Sequence, residues 1–282
     1  MPRIAYIDGR YQSVADPAIS IEDRGYQFAD GVYEVIALRG GRLLDDEAHF
    51  ERLAFSLDEL SIPMPMPLDA LRHVVRETIR RNRLKDGMVY MQITRGVSRR
   101  EHAYPDGMKP VLVVMAYALD AARRRQVAEE GIEVATVPDR RWARCDIKSI
   151  ALLPNILARR EAQAGGANEA WQVDESGHIT EGTATNAWIV DAEGRLRTHP
   201  VGAKILNGIT RRVVCDLAAE MGLEVLEKPF TPAEAQAARE CFATASTLTI
   251  LPVVRIDGAV IGNGAPGQIA HALSKRYDEI NS

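Results

Sequence analysis

The chain reads as an α+β protein of two domains. Helical and strand-like patterns follow one another in mixed order, not in the regular alternation of a doubly wound sheet. A polar, charged stretch at residues 120–126 breaks a long apolar run, as an interdomain linker would. The length, 282 residues, suffices for two ordinary domains with a sizeable core. The expected organisation is a small α/β domain over residues 1–119, the linker at 120–126, and a larger domain over 127–282.

In the first domain, residues 32–39 read as a strand, Gly40-Gly41 as a tight hairpin turn and 42–44 as the partner. Over 46–60, Phe50, Leu53, Ala54, Leu57 and Leu60 recur at helical spacing. The opposite face of that helix carries His49, Arg52, Ser56 and Glu59 and reads as solvated. The prolines of 62–67 end it, and a second amphipathic helix is predicted over 69–84. Residues 88–94 and 111–118 read as buried strands.

In the second domain, 132–137 is a predicted strand and 152–164 a helix closed by Gly165-Gly166. Strands are expected at 169–173 and 186–190. A helix over 210–221 has Thr210 as its predicted cap and Gly222 past its end. Thr231-Pro232-Ala233-Glu234 has the form of a capping box with proline at the first helical position.

A net charge of -4, with 26% charged and 46% hydrophobic residues, suits a soluble globular protein and gives no reason to invoke nucleic acid or an anionic membrane. The basic run Arg123-Arg124-Arg125 precedes Glu129-Glu130 and reads as a solvated segment. The start lacks the pattern of a signal peptide, and the longest apolar run is too short to span a bilayer. Three widely spaced cysteines, Cys145, Cys215 and Cys241, fit neither a disulfide framework nor a Cys-based zinc site. The singly scattered histidines show no metal spacing. A reduced cytoplasm is the expected home, with no metal, membrane or nucleic acid involved.

Three features carry chemistry. Lys148 lies between a predicted strand and a helix, with Arg141 and Arg144 near in sequence. Lysine there is ordinarily a surface residue, and an imine-forming one needs desolvation or nearby positive charge. Glu181, in Thr180-Glu181-Gly182, is either a turn carboxylate or an ion-pair partner for a protonated pyridine nitrogen. Gly208-Ile209-Thr210-Arg211 opens a helix whose free N–H groups and dipole form an anion site, although a plain N-cap looks the same in sequence. In this order the three supply the handles that pyridoxal phosphate requires: an amine for its aldehyde, a carboxylate for its ring nitrogen, and donors for its phosphate. Thr244-Ala245-Ser246-Thr247 offers further hydroxyl donors, and Arg52 a counter-charge. The turn-rich 94–105 loop, with Arg95, Arg99, Arg100 and His102, reads either as an exposed tip or as a trap for a carboxylate.

The stretch Glu22-Asp23-Arg24-Gly25-Tyr26-Gln27-Phe28-Ala29-Asp30-Gly31-Val32-Tyr33-Glu34-Val35 resembles the N-terminal signature of class IV aminotransferases, the fold type IV pyridoxal-phosphate enzymes. Through Arg95-Gly96, Arg144-Cys145-Asp146-Ile147-Lys148, Thr180-Glu181-Gly182 and Gly208-Ile209-Thr210-Arg211-Arg212 the resemblance covers essentially the whole chain, and it is strongest to the bacterial D-amino acid aminotransferases. It implies a two-domain fold and a homodimer. It implies that Lys148 is the Schiff-base lysine and general acid/base, and that Glu181 partners the ring nitrogen. Arg52, Ile209, Thr210 and Ser246 match phosphate-binding positions. Tyr33, Arg100 and His102 match the pocket for the substrate carboxylate, with the Arg-x-His loop reaching in from the second subunit. Asn207 stands where some relatives place a leucine on the cofactor ring, Ala184 where serine is frequent, and Ala245 where a hydroxyl or glycine is expected. Arg99 beside Arg100 leaves two guanidiniums as candidates for the grip on the acid. The activity implied is ping-pong transamination of D-amino acids with a 2-oxo acid acceptor such as 2-oxoglutarate or pyruvate. The rival readings are a branched-chain L-amino acid aminotransferase and a lyase of the aminodeoxychorismate type.

Overall fold

A computed structural model describes residues 3–16 and 18–281, which divide into two units. The first contains the residues up to Leu119 together with Ile147–Ala151, and the second contains Asp120–Asp146 and Leu152 onward. The stretch expected as a linker, Asp120–Gln126, opens a helix, with the Asp120 carboxylate accepting from Ala122 N at 2.9 Å. Lys148 groups with the first unit, because its segment pairs with a strand there: Ser149 bridges Val32, and Ile150 N donates to Gly31 O at 3.0 Å.

The first unit is built from β1 (Ile4–Ile7), β2 (Arg10–Ser13), α1 (Arg24–Phe28), β3 (Gly31–Arg39), β4 (Arg42–Leu43), α2 (Asp46–Glu59), α3 (Leu68–Asn82), β5 (Gly87–Thr94) and β6 (Val111–Tyr117). The strands form an antiparallel sheet in the order β2-β1-β6-β5-β3-β4. Gly40 and Gly41 turn β3 into β4 with φ of 54° and 82°, a left-handed pair that a side chain would oppose. Phe50, Leu53 and Leu57 of α2 lie over β3, and Leu71, Val75 and Ile79 of α3 over β6 and β1, in one core with Val32, Ile36, Val89, Met91 and Ile93 of the sheet. Each such fully buried side chain contributes about 1.5–3 kcal/mol. The other face of α2 is not solvated as the sequence suggests: His49, Arg52 and Ser56 are all buried. Their burial is tolerated because Glu34, fully buried on β3, meets two of them.

The second unit is built from α4 (Ala121–Glu130), β7 (Ile132–Pro138), α5 (Leu153–Ala164), β8 (Glu169–Val173), β9 (Ile179–Gly182), β10 (Asn186–Val190), β11 (Leu196–Thr198), α6 (Ile209–Glu220), β12 (Val225–Glu227), α7 (Pro232–Gln236), β13 (Glu240–Ala245), β14 (Thr249–Ile256), β15 (Ala259–Val260) and α8 (Gln268–Ile280). Its sheet runs β12-β11-β10-β13-β14-β7-β8-β9, with β15 on β14. β7 and β8 are parallel and α5 is their crossover, as a parallel pair requires. The core holds Trp171 edge-on to Phe230, and Trp188 stacks on Phe242 with ring centres 5.5 Å apart. Thr231 and Glu234 form the predicted capping box at α7. At α6 the cap is Gly208, not Thr210. Gly208 is extended (φ -63°, ψ 135°), caps with no side chain, and leaves Thr210 as a buried first-turn residue. Among the described residues, no helix is long and apolar enough to cross a membrane.

Candidate active site

In the first unit, two backbone–backbone hydrogen bonds and one to a side chain fix Lys148 and its neighbours. The Lys148 carbonyl accepts from Tyr33 N at 3.0 Å, its amide donates to Ser56 Oγ at 3.2 Å, and Ile150 returns a bond to Gly31. This staple directs the half-buried Lys148 side chain over Tyr33, with Nζ 4.3 Å from the ring centre. Among the described residues, no carboxylate lies within ion-pair range of that amine. Tyr33 stacks on Tyr90 with ring centres 5.7 Å apart, and burial pushes the Tyr90 phenol up to about 12. The Tyr90 hydroxyl therefore stays protonated and donates to Gln92 Oε1 at 2.6 Å.

Behind this pair lies the charged face of α2. Arg52 donates from Nε to Glu34 Oε1 at 2.7 Å and from Nη2 to Oε2 at 2.9 Å, while His49 Nδ1 lies 2.8 Å from Oε2. Burial alone would raise the Glu34 carboxyl, but the Arg52 guanidinium and the His49 bond overcome it and hold Glu34 well below the usual carboxylate range. His49 is lowered, first by its own burial and then by the neighbouring Arg52 and Lys148 charges, although Glu34 opposes the shift. A neutral imidazole beside an ionised carboxylate must carry its proton on Nδ1, so the contact is a hydrogen bond and not an ion pair.

The loop after β5 brings Arg100 and His102 together. The Arg100 guanidinium lies 4.7 Å from the centre of the Phe28 ring, and the His102 ring centre lies 5.8 Å from it. Among the described residues Arg99 makes no such contact, so of the two adjacent guanidiniums it is Arg100 that shares a platform with His102. Both loop side chains are exposed.

In the second unit, the buried Glu181 on β9 has donors on both oxygens. Oε2 accepts from Asn186 Nδ2 at 2.9 Å and from Leu206 N at 3.0 Å, and Oε1 is ion-paired with Arg141. Arg141 also takes both oxygens of Asp139 (2.9 and 2.7 Å) and donates to Thr180 Oγ1 at 3.1 Å. Burial raises Asp139, but its bonds from Arg141 outweigh this and keep it low. The nearby cations weighed in the sequence as neighbours of Lys148 thus serve carboxylates of this unit, Arg141 as described and Arg144 by pairing with Asp146 at 2.8 Å. Asn186 also donates to Leu206 O at 2.9 Å and so ties Glu181 to the segment that leads through the half-buried Asn207 and Gly208 into α6. A Cβ on Gly208 would sit 2.0 Å from Asn186 Oδ1, so only glycine permits this approach. Ile209 and Thr210 are buried in the first turn of α6, whose leading N–H groups no side chain caps. α6 packs on β13, and Ser246 is half-buried in the turn between β13 and β14. The thiols take no part. Burial pushes Cys145 up to about 11 and also raises Cys215 and Cys241.

Each predicted residue therefore occupies a defined setting within its own unit. The reading of isolated residues missed Glu34, His49, Arg141 and Asn186 as their partners. The sequence signal for Glu34 is a lone acid inside an otherwise apolar strand, and for Asn186 an amide at the first position of one. Together these settings offer a restrained amine, a buried and oriented carboxylate, and a helix start with open donors.

The sequence pattern of the amino-transferase class IV family matches residues 31–256. The chain is 39% identical over 262 residues to a D-alanine aminotransferase of Bacillus licheniformis, covering 93% of this chain and 91% of the relative. It is 37% identical over 275 residues to one of Staphylococcus haemolyticus, covering 97% and 96%. A branched-chain aminotransferase of Thermoproteus uzoniensis, solved with norvaline, superposes with a TM-score of 0.88 at 28% identity over 99% of this chain and 95% of that one. The Escherichia coli branched-chain enzyme superposes with a TM-score of 0.92 at 23% identity over 99% and 95%, which speaks for the fold alone. Matched over most of its length by the family pattern and over more than nine-tenths by these relatives, the chain belongs to the class IV aminotransferases.

Proposed function

We propose that this enzyme transaminates D-amino acids of the D-alanine type with a 2-oxo acid acceptor such as 2-oxoglutarate or pyruvate, in two alternating half-reactions. The observation that carries the reading is the placing of Arg100 and His102 on one ring, Phe28: a guanidinium and an imidazole side by side are a donor set for a carboxylate. The likeness to D-alanine aminotransferases over nearly the whole chain supports it.

The cofactor is pyridoxal 5′-phosphate, and the residues fit it. Gly208 brings the start of α6 within a methyl's breadth of Asn186, which leaves open N–H donors for a phosphate beside the amide that holds Glu181. Ile209, Thr210 and Ser246 would bind that phosphate, with Arg52 as counter-charge and Asn207 beside the ring. When bound, pyridoxal phosphate supplies an electron sink that makes the Cα–H of an amino acid acidic. Glu181, anchored at both oxygens, would hold a proton at the ring nitrogen. Lys148 Nζ would take the Cα proton and return it. Tyr33, Arg100 and His102 would hold the substrate carboxylate and so set the hand of the substrate.

The enzyme would work as a homodimer in the cytoplasm. In support of the dimer, α5 leaves Leu153, Ile156 and Leu157, one helical face, more than half exposed. In support of the compartment, all three cysteines are free thiols. Light scattering of the purified protein tests the first.

A second reading, transamination of branched-chain L-amino acids, is favoured by the T. uzoniensis neighbour. The visible spectrum of the holoenzyme separates the two. Bleaching of the cofactor band by D-alanine and not by L-leucine is expected, and the reverse would move the assignment to the L-series. Lys148→Ala should abolish turnover yet retain cofactor held through its phosphate, and full activity in that variant would remove the proposal.

A further inference from the structure

We infer that Arg24 is a positioning residue for carboxylate recognition, a clasp that sets the loop carrying Arg100 and His102. The inference rests on the carboxylate-binding role proposed for those two residues. Arg24 is the first residue of α1, yet its side chain is buried, with a relative exposure of 5%. It donates from Nε to Asp30 Oδ2 at 2.8 Å, from Nη1 to the Glu101 carbonyl at 2.7 Å and from Nη2 to the His102 carbonyl at 3.3 Å. Those carbonyls belong to the residues that follow Arg100. Among the described residues, no other side chain hydrogen-bonds the backbone of residues 100–108, so Arg24 is the side-chain anchor of this stretch.

A second arginine shares the carboxylate of the clasp. Arg95 donates to the same Asp30 oxygen at 2.9 Å and fixes itself on the carbonyls of Leu60 and Ser61. Burial alone would raise Asp30, but the bonds from Arg95 and Arg24 outweigh it, so the carboxylate stays ionised. One carboxylate thus serves two buried guanidiniums, while the buried Asp23 carboxylate close by takes its bonds from Thr94 Oγ1 and Gly25 N. The Arg24 and Arg100 guanidiniums lie 4.8 and 4.7 Å from the centre of the same Phe28 ring. Arg24 is satisfied there by Asp30 and the loop carbonyls. Among the described residues, Arg100 meets no carboxylate and retains its charge for a ligand. The task demands arginine: a planar fork reaches a carboxylate and two successive carbonyls at once, and an ammonium does not.

The test compares Arg24→Lys, Arg24→Gln and Arg100→Gln as holoenzymes. With Arg24→Lys, KM for D-alanine and for the 2-oxo acid should rise about tenfold with kcat little changed, the pattern of lost ground-state and transition-state binding alike. Trypsin should cut the same variant after Arg99 and Arg100 faster than the parent, because the clasp no longer restrains the loop. Arg24→Gln should do both more strongly, and if it fails to fold, the lysine variant carries the test alone. A raised KM for Arg100→Gln with an unchanged KM for Arg24→Lys would overturn the inference and leave the carboxylate pocket standing. An unchanged KM for Arg100→Gln would remove the pocket itself and the clasp's function with it. A fall in kcat and thermal stability without a change in KM or tryptic rate would make Arg24 merely structural.

Discussion

Glu34 grips Arg52 at two points, Oε1 to Nε at 2.7 Å and Oε2 to Nη2 at 2.9 Å, with the carboxylate fully buried and the guanidinium nearly so. Two desolvated charges persist here because each satisfies the other and His49 supplies a further donor. The arrangement also holds in place the guanidinium proposed to face a phosphate. Glu34→Gln keeps the shape and strips the charge, which leaves Arg52 buried without its counter-ion. Urea denaturation should show a loss of about 3–5 kcal/mol, with pyridoxal phosphate lost more readily on dialysis. Adding Arg52→Met should return part of the stability, since it removes the stranded cation. A loss below about 1 kcal/mol would mean that the pair behaves like an exposed one.

The same cluster sets an acid limit on stability. His49 is lowered in the folded protein from the ordinary 6.5, so the unfolded chain binds its proton more readily. The His49 contribution is complete above pH 6.5 and is lost as pH falls from there through its lower folded value. Glu34 is also depressed, and its contribution, present above the ordinary 4.5, is lost only at still lower pH. Denaturation midpoints should therefore fall from pH 7.5 to 5.5 in the parent. They should fall less in His49→Gln, whose amide donates to Glu34 but does not titrate. Equal slopes in the two proteins would assign the decline to other groups.

Gly208→Ala tests the link between the helix start and Glu181. The backbone of Gly208 suits any residue, but the new methyl would lie 2.0 Å from Asn186 Oδ1. Asn186 must then move, which breaks its bonds to Glu181 Oε2 and Leu206 O. Disturbing such buried bonds costs about 1–3 kcal/mol. Thermal unfolding should register that loss, and the cofactor band should weaken at equal protein concentration. An unchanged cofactor content would mean that the Asn186 bonds do not bear on the cofactor.

Features governed by near neighbours were legible in the sequence, and those made by distant pairs were not. The Thr231–Glu234 capping box and the strands at 169–173 and 186–190 follow from local pattern. At α6, Thr210 looks like a cap because hydroxyl residues favour that position, yet the backbone turns at Gly208, where only glycine fits against Asn186. Arg52 reads as solvated because the helical period gives the face of a residue and not what that face meets. Its partner Glu34 lies on a strand that otherwise reads as apolar. β14 contains Pro252, a residue that argues against an interior strand, so the sequence pattern there does not read as one. Lys148 and Glu181 stand out only by their order with the helix start at Gly208 and by family resemblance, since neither a lone lysine nor a turn glutamate is informative by itself. Arg141 and Glu181 are 40 residues apart, so no local rule predicts their ion pair.

That pair supports a prediction with the opposite sign in pH. Arg141 is 5% exposed and is the shared counter-charge of Asp139 and Glu181. In Arg141→Gln the two carboxylates keep their buried positions but lose the cation, and two acids in one desolvated setting resist joint ionisation. Their folded values would then lie above those of the unfolded chain, and the variant would bind protons on folding. It should be destabilised by about 3–5 kcal/mol at pH 8 and by distinctly less at pH 5, where a proton relieves the repulsion. The parent, in which His49 loses its contribution over this range and Glu34 does not, should be less stable at pH 5 than at pH 8. Urea midpoints of both proteins at the two pH values decide the matter. A penalty that does not shrink toward pH 5 would show that Arg141 acts through its bonds to Thr180 and Lys204 and not through its charge.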